Sequence, residues 1–95
     1  MQIELTDRSY LILPVEIAEK YFPTDNMVVL PRGRELWLLP VNNKASGGLL
    51  MKRRNSKGDR SVLLAEVAPD EPPGFYAARW EEAAGAMIII LKCNE

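Results

Sequence analysis

Apolar residues fall in short runs along this chain, and most runs end at a turn former. Residues 2–5 and 9–13 are apolar-rich over a few positions, which predicts two strands around the turn Thr6-Asp7-Arg8. Pro14 ends the extended stretch and suits the first turn of a helix, where its missing N–H costs nothing. The period then changes. Val15, Ala18 and Phe22 recur at helical spacing, and Ile17 with Tyr21 widens the stripe. Pro23 biases Phe22 away from helical dihedrals, so the helix stops after roughly two turns. A helix that short needs tertiary support.

The β pattern resumes at residues 27–30 and again at 35–39. Pro31-Arg32-Gly33-Arg34 lies between them, so the two runs read as a hairpin around a glycine-centred turn. Residues 41–47 are polar and end in glycine, which marks a connection. In the second half, residues 49–54 and 61–67 flank Asn55-Ser56-Lys57-Gly58-Asp59, a run of turn formers. Residues 68–74, APDEPPG, are too proline-rich for regular structure. Residues 75–80 and 86–92 flank Glu81-Glu82-Ala83-Ala84-Gly85 and read as a further hairpin. A helix over 77–84 competes with it, because Ala and Glu favour helices. Gly85, placed just before Met87-Ile88-Ile89-Ile90-Leu91, favours the hairpin.

These elements predict a mostly β protein with one short helix, its hairpins rolled into a small β-barrel. The chain has 95 residues and reads as one domain. Within it, residues 1–40 and the all-β residues 48–92 repeat one theme of hairpin, crossover and hairpin. Closing the two halves into one barrel would protect the run from Ile88 to Leu91, which on an open edge invites aggregation.

Composition adds little to that picture, and charge adds more. With 47% hydrophobic and 26% charged residues, the chain has the make-up of an ordered globular protein. Its net charge is only −1. Yet Lys44, Lys52, Arg53, Arg54, Lys57 and Arg60 face Asp59 alone in residues 44–60, a local +5 that leaves −6 for the rest. Cys93 is the one cysteine, so no disulfide forms within the chain. The start MQIELTD lacks a basic flank and an apolar core, unlike a signal peptide. No apolar run has bilayer length. The chain reads as a cytoplasmic protein of bacterial style.

The basic cluster Lys52-Arg53-Arg54, with Lys57 and Arg60, is the foremost candidate for chemistry. Clustered cations on a hairpin can hold nucleic-acid phosphates. They can equally be a solvated tip, a reading favoured by the near-zero net charge. Arg32 and Arg34 have the same two readings. Trp37 and Trp80 read as core residues. Catalysis has little support. There is no histidine, Cys93 has no second thiol, and Asp25, Asp59, Asp70 and Glu71 show no motif spacing. No cofactor or metal is expected.

One stretch carries a family resemblance. Ile12-Leu13-Pro14, Val15-Glu16-Ile17-Ala18-Glu19-Lys20, Asn26-Met27-Val28-Val29-Leu30 and Glu35-Leu36-Trp37-Leu38-Leu39-Pro40 resemble the AbrB-like swapped-hairpin family. That family includes transition-state regulators, MraZ-type regulators and MazE-type antitoxins. The resemblance covers residues 9–40. It implies a swapped-hairpin character in the N-terminal half and a small DNA-binding regulator or antitoxin-like protein that forms a homodimer. On that reading Arg8, Lys20, Arg32, Arg34, Lys52, Arg53, Arg54 and Lys57 would contact DNA. The chain departs from the family just before Ile12-Leu13-Pro14, where Ser9-Tyr10-Leu11 replaces the usual cation. A second reading follows from that loss: a non-catalytic accessory protein that holds a larger protein through the same barrel.

Overall fold

The alternation of apolar and polar residues produces antiparallel hairpins. In the computed structural model, which describes residues 1–41 and 48–92, β1 (Gln2–Leu5) pairs with β2 (Tyr10–Leu13). The helix α1 (Val15–Tyr21) follows, then β3 (Asn26–Arg32) pairs with β4 (Glu35–Pro40). Two short strands come next, β5 (Leu49–Leu50) and β6 (Lys52–Arg53), and β6 pairs with β7 (Arg60–Leu63). A final hairpin joins β8 (Gly74–Glu81) and β9 (Ala86–Ile90), so the helix considered for residues 77–84 does not form. Lys44 and Cys93 lie outside the described residues.

The nine strands run in the order β5-β3-β4-β9-β8-β1-β2-β7-β6. Its two outermost members, β5 and β6, are separated only by Met51. β5 pairs with β3 and β6 pairs with β7, so one bent segment touches both ends of the sheet and nearly closes it into a barrel. Met51 is buried at the bend, and its N–H donates to the Asp25 carbonyl at 2.6 Å.

The pairing pattern has a two-fold character. Each half contributes hairpin, crossover and hairpin. β2 pairs with β7 and β4 with β9, joining equivalent strands of the two halves. β1 pairs with β8, and β3 with β5, which is the same contact with the halves exchanged. The halves therefore interleave, and neither forms a separate sheet. The crossover α1 covers one end of the barrel, and residues 64–73 cover the other.

Inward-facing side chains fill the interior. Ile3 and Leu5, Leu11 and Leu13, Leu36 and Leu38, and Met87 and Ile89 alternate along their strands and are buried. Each such burial contributes about 1.5–3 kcal/mol. Ala18 and Phe22 plug one end from α1, and Leu64 plugs the other from the second crossover. Tyr76 is buried too, and its hydroxyl donates to the Pro72 carbonyl.

Three local outcomes differ from the sequence expectation. Residues 61–67 give a strand only to Leu63, because Leu64 turns into the core and its carbonyl accepts from Val67 at 3.1 Å and Ala68 at 2.9 Å. β3 runs on through Pro31 and Arg32, which leaves Gly33-Arg34 as a two-residue turn. Pro31 is tolerated there because β5 pairs only with Asn26 and Met27, so no ladder donor is lost. Gly33 has φ +64, as the first position of a type II′ hairpin turn requires. Finally, Trp37 and Trp80 are only half-buried: Trp37 stands apart from the buried core, whereas Trp80 packs against its edge. Trp37 lies on the outer wall opposite Leu30 and Ile88, and Trp80 lies at the barrel mouth.

α1 is seven residues long and has no side-chain cap of its own. Its first N–H, from Val15, donates instead to Asp59 Oδ1 at 2.8 Å, and Phe22 anchors its far end. Phe22→Ala is expected to lower unfolding free energy by about 3–5 kcal/mol, a large part of a small domain's margin. Urea denaturation followed by circular dichroism measures it. A loss below 1 kcal/mol, on the order of a surface substitution, would remove Phe22 from its role as plug.

Candidate functional site

The hairpin β6–β7 carries the densest cationic group, and its turn is tightly built. Asn55 Oδ1 accepts from the N–H groups of Gly58 at 3.1 Å and Asp59 at 3.2 Å. Asn55 Nδ2 donates to Asp59 Oδ2 at 3.1 Å. The Arg54 N–H donates to the Asp59 carbonyl at 2.7 Å. Gly58 has φ +103 and is buried against Val15, so a side chain there would meet Val15 Cγ2 as well as backbone strain. The result is a rigid loop clamped to the start of α1.

Lys52 and Arg53 on β6, Arg54 beside the loop and Lys57 within it are all exposed. Lys57 lies 3.8 Å from Asp59 with most of its side chain in solvent. Lys52, Arg53 and Arg54 have no ion pair among the described residues. Lys52 stands opposite Ser61 and Arg53 opposite Arg60, so the two cations point to opposite sides of the strand. Arg60 is withdrawn from the group. It pairs with Asp25 at 3.3 Å and donates to the Gly58 carbonyl.

Asp59 holds this arrangement electrostatically. Its carboxyl is kept below the usual carboxylate range, first by the hydrogen bond from Asn55 and then by the Val15 N–H, with Lys57 and Arg54 adding smaller contributions. The loop therefore keeps its internal anion to lower pH than an ordinary aspartate would, and the clamp on α1 with it.

The remaining sequence candidates divide between the two barrel ends. Lys20 shares the α1 end but sits at the far side of the helix, about 7.5 Å along its axis from Val15, with its ammonium 5.2 Å from the centre of the Tyr21 ring. Glu16 and Glu19 share that helix, so the rim is of mixed charge there. Arg8, Arg32 and Arg34 lie at the opposite end, in or beside the turns after β1 and β3. Arg32 stacks over the Trp37 ring at 4.6 Å. Arg34 borders a cleft of about 160 Å³ shared with Asp70 and Glu71. The fold thus gathers Lys52, Arg53, Arg54 and Lys57, places Lys20 on the same rim, and separates Arg8, Arg32 and Arg34 from them.

A second feature lay beyond sequence reasoning. Tyr21 and Trp80 stack with ring centres 4.5 Å apart across the α1 end. Lys20, Pro23, Pro40, Glu82 and Gly85 complete an open groove of about 520 Å³. Trp80 Nε1 donates to Glu82 Oε1 at 3.2 Å. Nothing in the chain links Tyr21 to Trp80, because only barrel closure brings α1 over β8. Among the described residues no three His, Cys, Asp or Glu side chains cluster as a metal site, and no helix is long and apolar enough to cross a membrane.

The depressed Asp59 acidity has a testable sign. Its folded pKa lies below its unfolded one, so its contribution to stability is complete above the unfolded value. It is lost as pH falls through the folded value. Asp59→Asn is therefore expected to melt below the wild type at neutral pH, with the gap narrowing as pH falls through the folded value. Thermal melts across an acid series check this, and a gap independent of pH would exclude the ionised clamp.

Comparison of the whole chain with protein-family models, with curated proteins and with solved structures gave no match.

Proposed function

We propose that this protein is a small, non-catalytic DNA-binding regulator or antitoxin-like protein, and that the β6–β7 hairpin is its phosphate-binding element. The observation that carries the reading is the loop itself. Four exposed cations stand on a hairpin whose turn is tied by Asn55 and Asp59, and three of them lack an ion pair among the described residues. Cations held in place release phosphate counterions on binding at little ordering cost. Lys20 extends the surface along the same rim. The AbrB-like resemblance of residues 9–40 supports the same class of function. Of the contacts that the resemblance implies, Arg8, Arg32 and Arg34 occupy the far end of the barrel and are left out of this surface.

A separate observation favours the accessory reading. Tyr10 and Leu63 face each other on the outer wall of β2 and β7, and Phe75 on β8 is 60% exposed. An apolar wall of this kind suits a larger protein partner. Affinity purification with and without nuclease separates the two readings: the first requires co-purified DNA that nuclease removes, whereas the accessory reading gives a stoichiometric protein partner and no DNA.

The DNA reading predicts binding to duplex at low salt, with affinity falling steeply as salt rises. Changing Lys52, Arg53 and Arg54 together to Ala should abolish most binding and flatten the slope of log K against log salt by about 2.7, or about 0.9 per lost phosphate contact. Changing Arg8, Arg32 and Arg34 to Ala should leave the slope nearly unchanged. Fluorescence anisotropy on labelled duplexes measures both. No binding to any duplex at low salt ends the DNA reading.

A further inference from the structure

The outer wall of β3, β4, β9 and β8 carries an apolar surface that the barrel itself does not use. Side chains that point outward on neighbouring strands form rows. Leu30, Trp37, Ile88 and Arg79 make one row across all four strands. Val28 and Leu39 form the next row toward the α1 end, with Ala86 and Glu81 completing it. Arg32, Glu35 and Ile90 form the row on the other side. Val28, Leu30 and Ile90 are 36%, 41% and 40% exposed, and Leu50 at 56% extends the strip onto β5. Isolated exposed apolar residues are ordinary. Here Val28 and Leu30 are successive outward positions of β3, flanked by half-buried Leu39 and Trp37, which makes a patch, while Ile88 and Ala86 lie buried beneath it.

The polar residues of this wall are already fixed. Trp37 Nε1 donates to Glu35 Oε1 at 3.0 Å. Arg79 bridges Glu35 at 3.8 Å and Glu81 at 3.6 Å. Arg32 lies over the Trp37 ring and has no acidic partner among the described residues. A wall ordered in advance loses little entropy on docking.

We infer that this wall is the contact surface for a second copy of the same chain. The charge layout selects that occupant. Arg32 on β3 and Glu81 on β8 stand at diagonally opposite corners, with the apolar rows between them. An isologous pair has its two-fold axis in the plane of contact. With that axis perpendicular to the diagonal, each Arg32 faces the other copy's Glu81, and the two apolar strips meet at the centre. The chain is thus complementary to itself, and a net charge of −1 offers no repulsion to oppose the pairing. The barrel is nearly closed within each chain, so this contact joins complete barrels wall to wall. It is independent of the hairpin cations and of the wall of Tyr10, Leu63 and Phe75.

Sedimentation equilibrium of the full chain tests it, over roughly 1 μM to 1 mM, the range in which a modest interface dissociates. A concentration-dependent monomer–dimer equilibrium is expected. Leu30→Arg should weaken it about thirtyfold or more, as for a buried interface anchor, whereas Leu63→Arg on the other wall should leave it unchanged. Arg32→Glu and Glu81→Arg should each weaken the dimer, and the double exchange should restore it. Circular dichroism verifies that each exposed substitution leaves the barrel folded. A chain that stays monomeric throughout overturns the inference. So does a dimer indifferent to Leu30→Arg, or a double exchange no tighter than the single ones. If the wild type is monomeric and Leu30→Arg severs a different protein, the wall belongs to that partner and the self-contact is wrong.

Discussion

The whole architecture depends on one bent segment, residues 49–53, being hydrogen-bonded at both ends of the sheet. β5 lies against β3 and β6 against β7, with buried Met51 at the bend. Without that segment β3 and β7 would each show an open edge of unpaired donors and acceptors, which invites association with other chains. With it, the sheet curls into a barrel, and the apolar residues of both halves share one interior. The hairpins could form locally from their turns. Their burial could not, because each half contributes only part of the wall.

Closure also explains how so short a helix persists. α1 has seven residues, below the length at which a helix is stable in water. It lies across the barrel end with Phe22 inserted and Val15 bound to Asp59, a residue of the other half. The same Asp59 organises the basic loop through Asn55. One carboxylate therefore ties the stability of the crossover to the presentation of Lys52, Arg53 and Arg54. This coupling is the closest physical link here between fold and candidate site. It also places the cations at a rigid corner, where a solvated hairpin tip would be expected to sway.

Much of the secondary structure was legible because its signals are local. Pro14 and Pro23 bound the helix, Gly33 and Gly85 sit in the turns, and period-two alternation marks the buried faces of β1, β2, β4 and β8. The errors arose where distant partners decide. The strand expected through residue 67 stops at Leu63 because Leu64 is drawn into the core. Strand alternation points both Trp37 and Trp80 inward, yet Trp37 covers Ile88 from outside, while Trp80 packs against the core edge and stacks on Tyr21 at the mouth. The candidate site was half legible. Clustering along the chain exposes the group from Lys52 to Lys57, but Arg8, Arg32 and Arg34 join it only through the family resemblance, and the barrel holds them at its opposite end.

The sequence by itself determined the fold class, the hairpin boundaries to within a few residues, the short helix between Pro14 and Pro23 and the segregation of basic charge into residues 44–60. These follow from turn stereochemistry, side-chain periodicity and counting, none of which needs a distant partner. Only the tertiary structure decided which strands of the two halves pair, which cations share a surface, and which apolar residues remain outside. Those outcomes depend on contacts between residues tens of positions apart. Their free energies come from burial and strand pairing across the closed barrel, and a linear pattern does not encode them one position at a time.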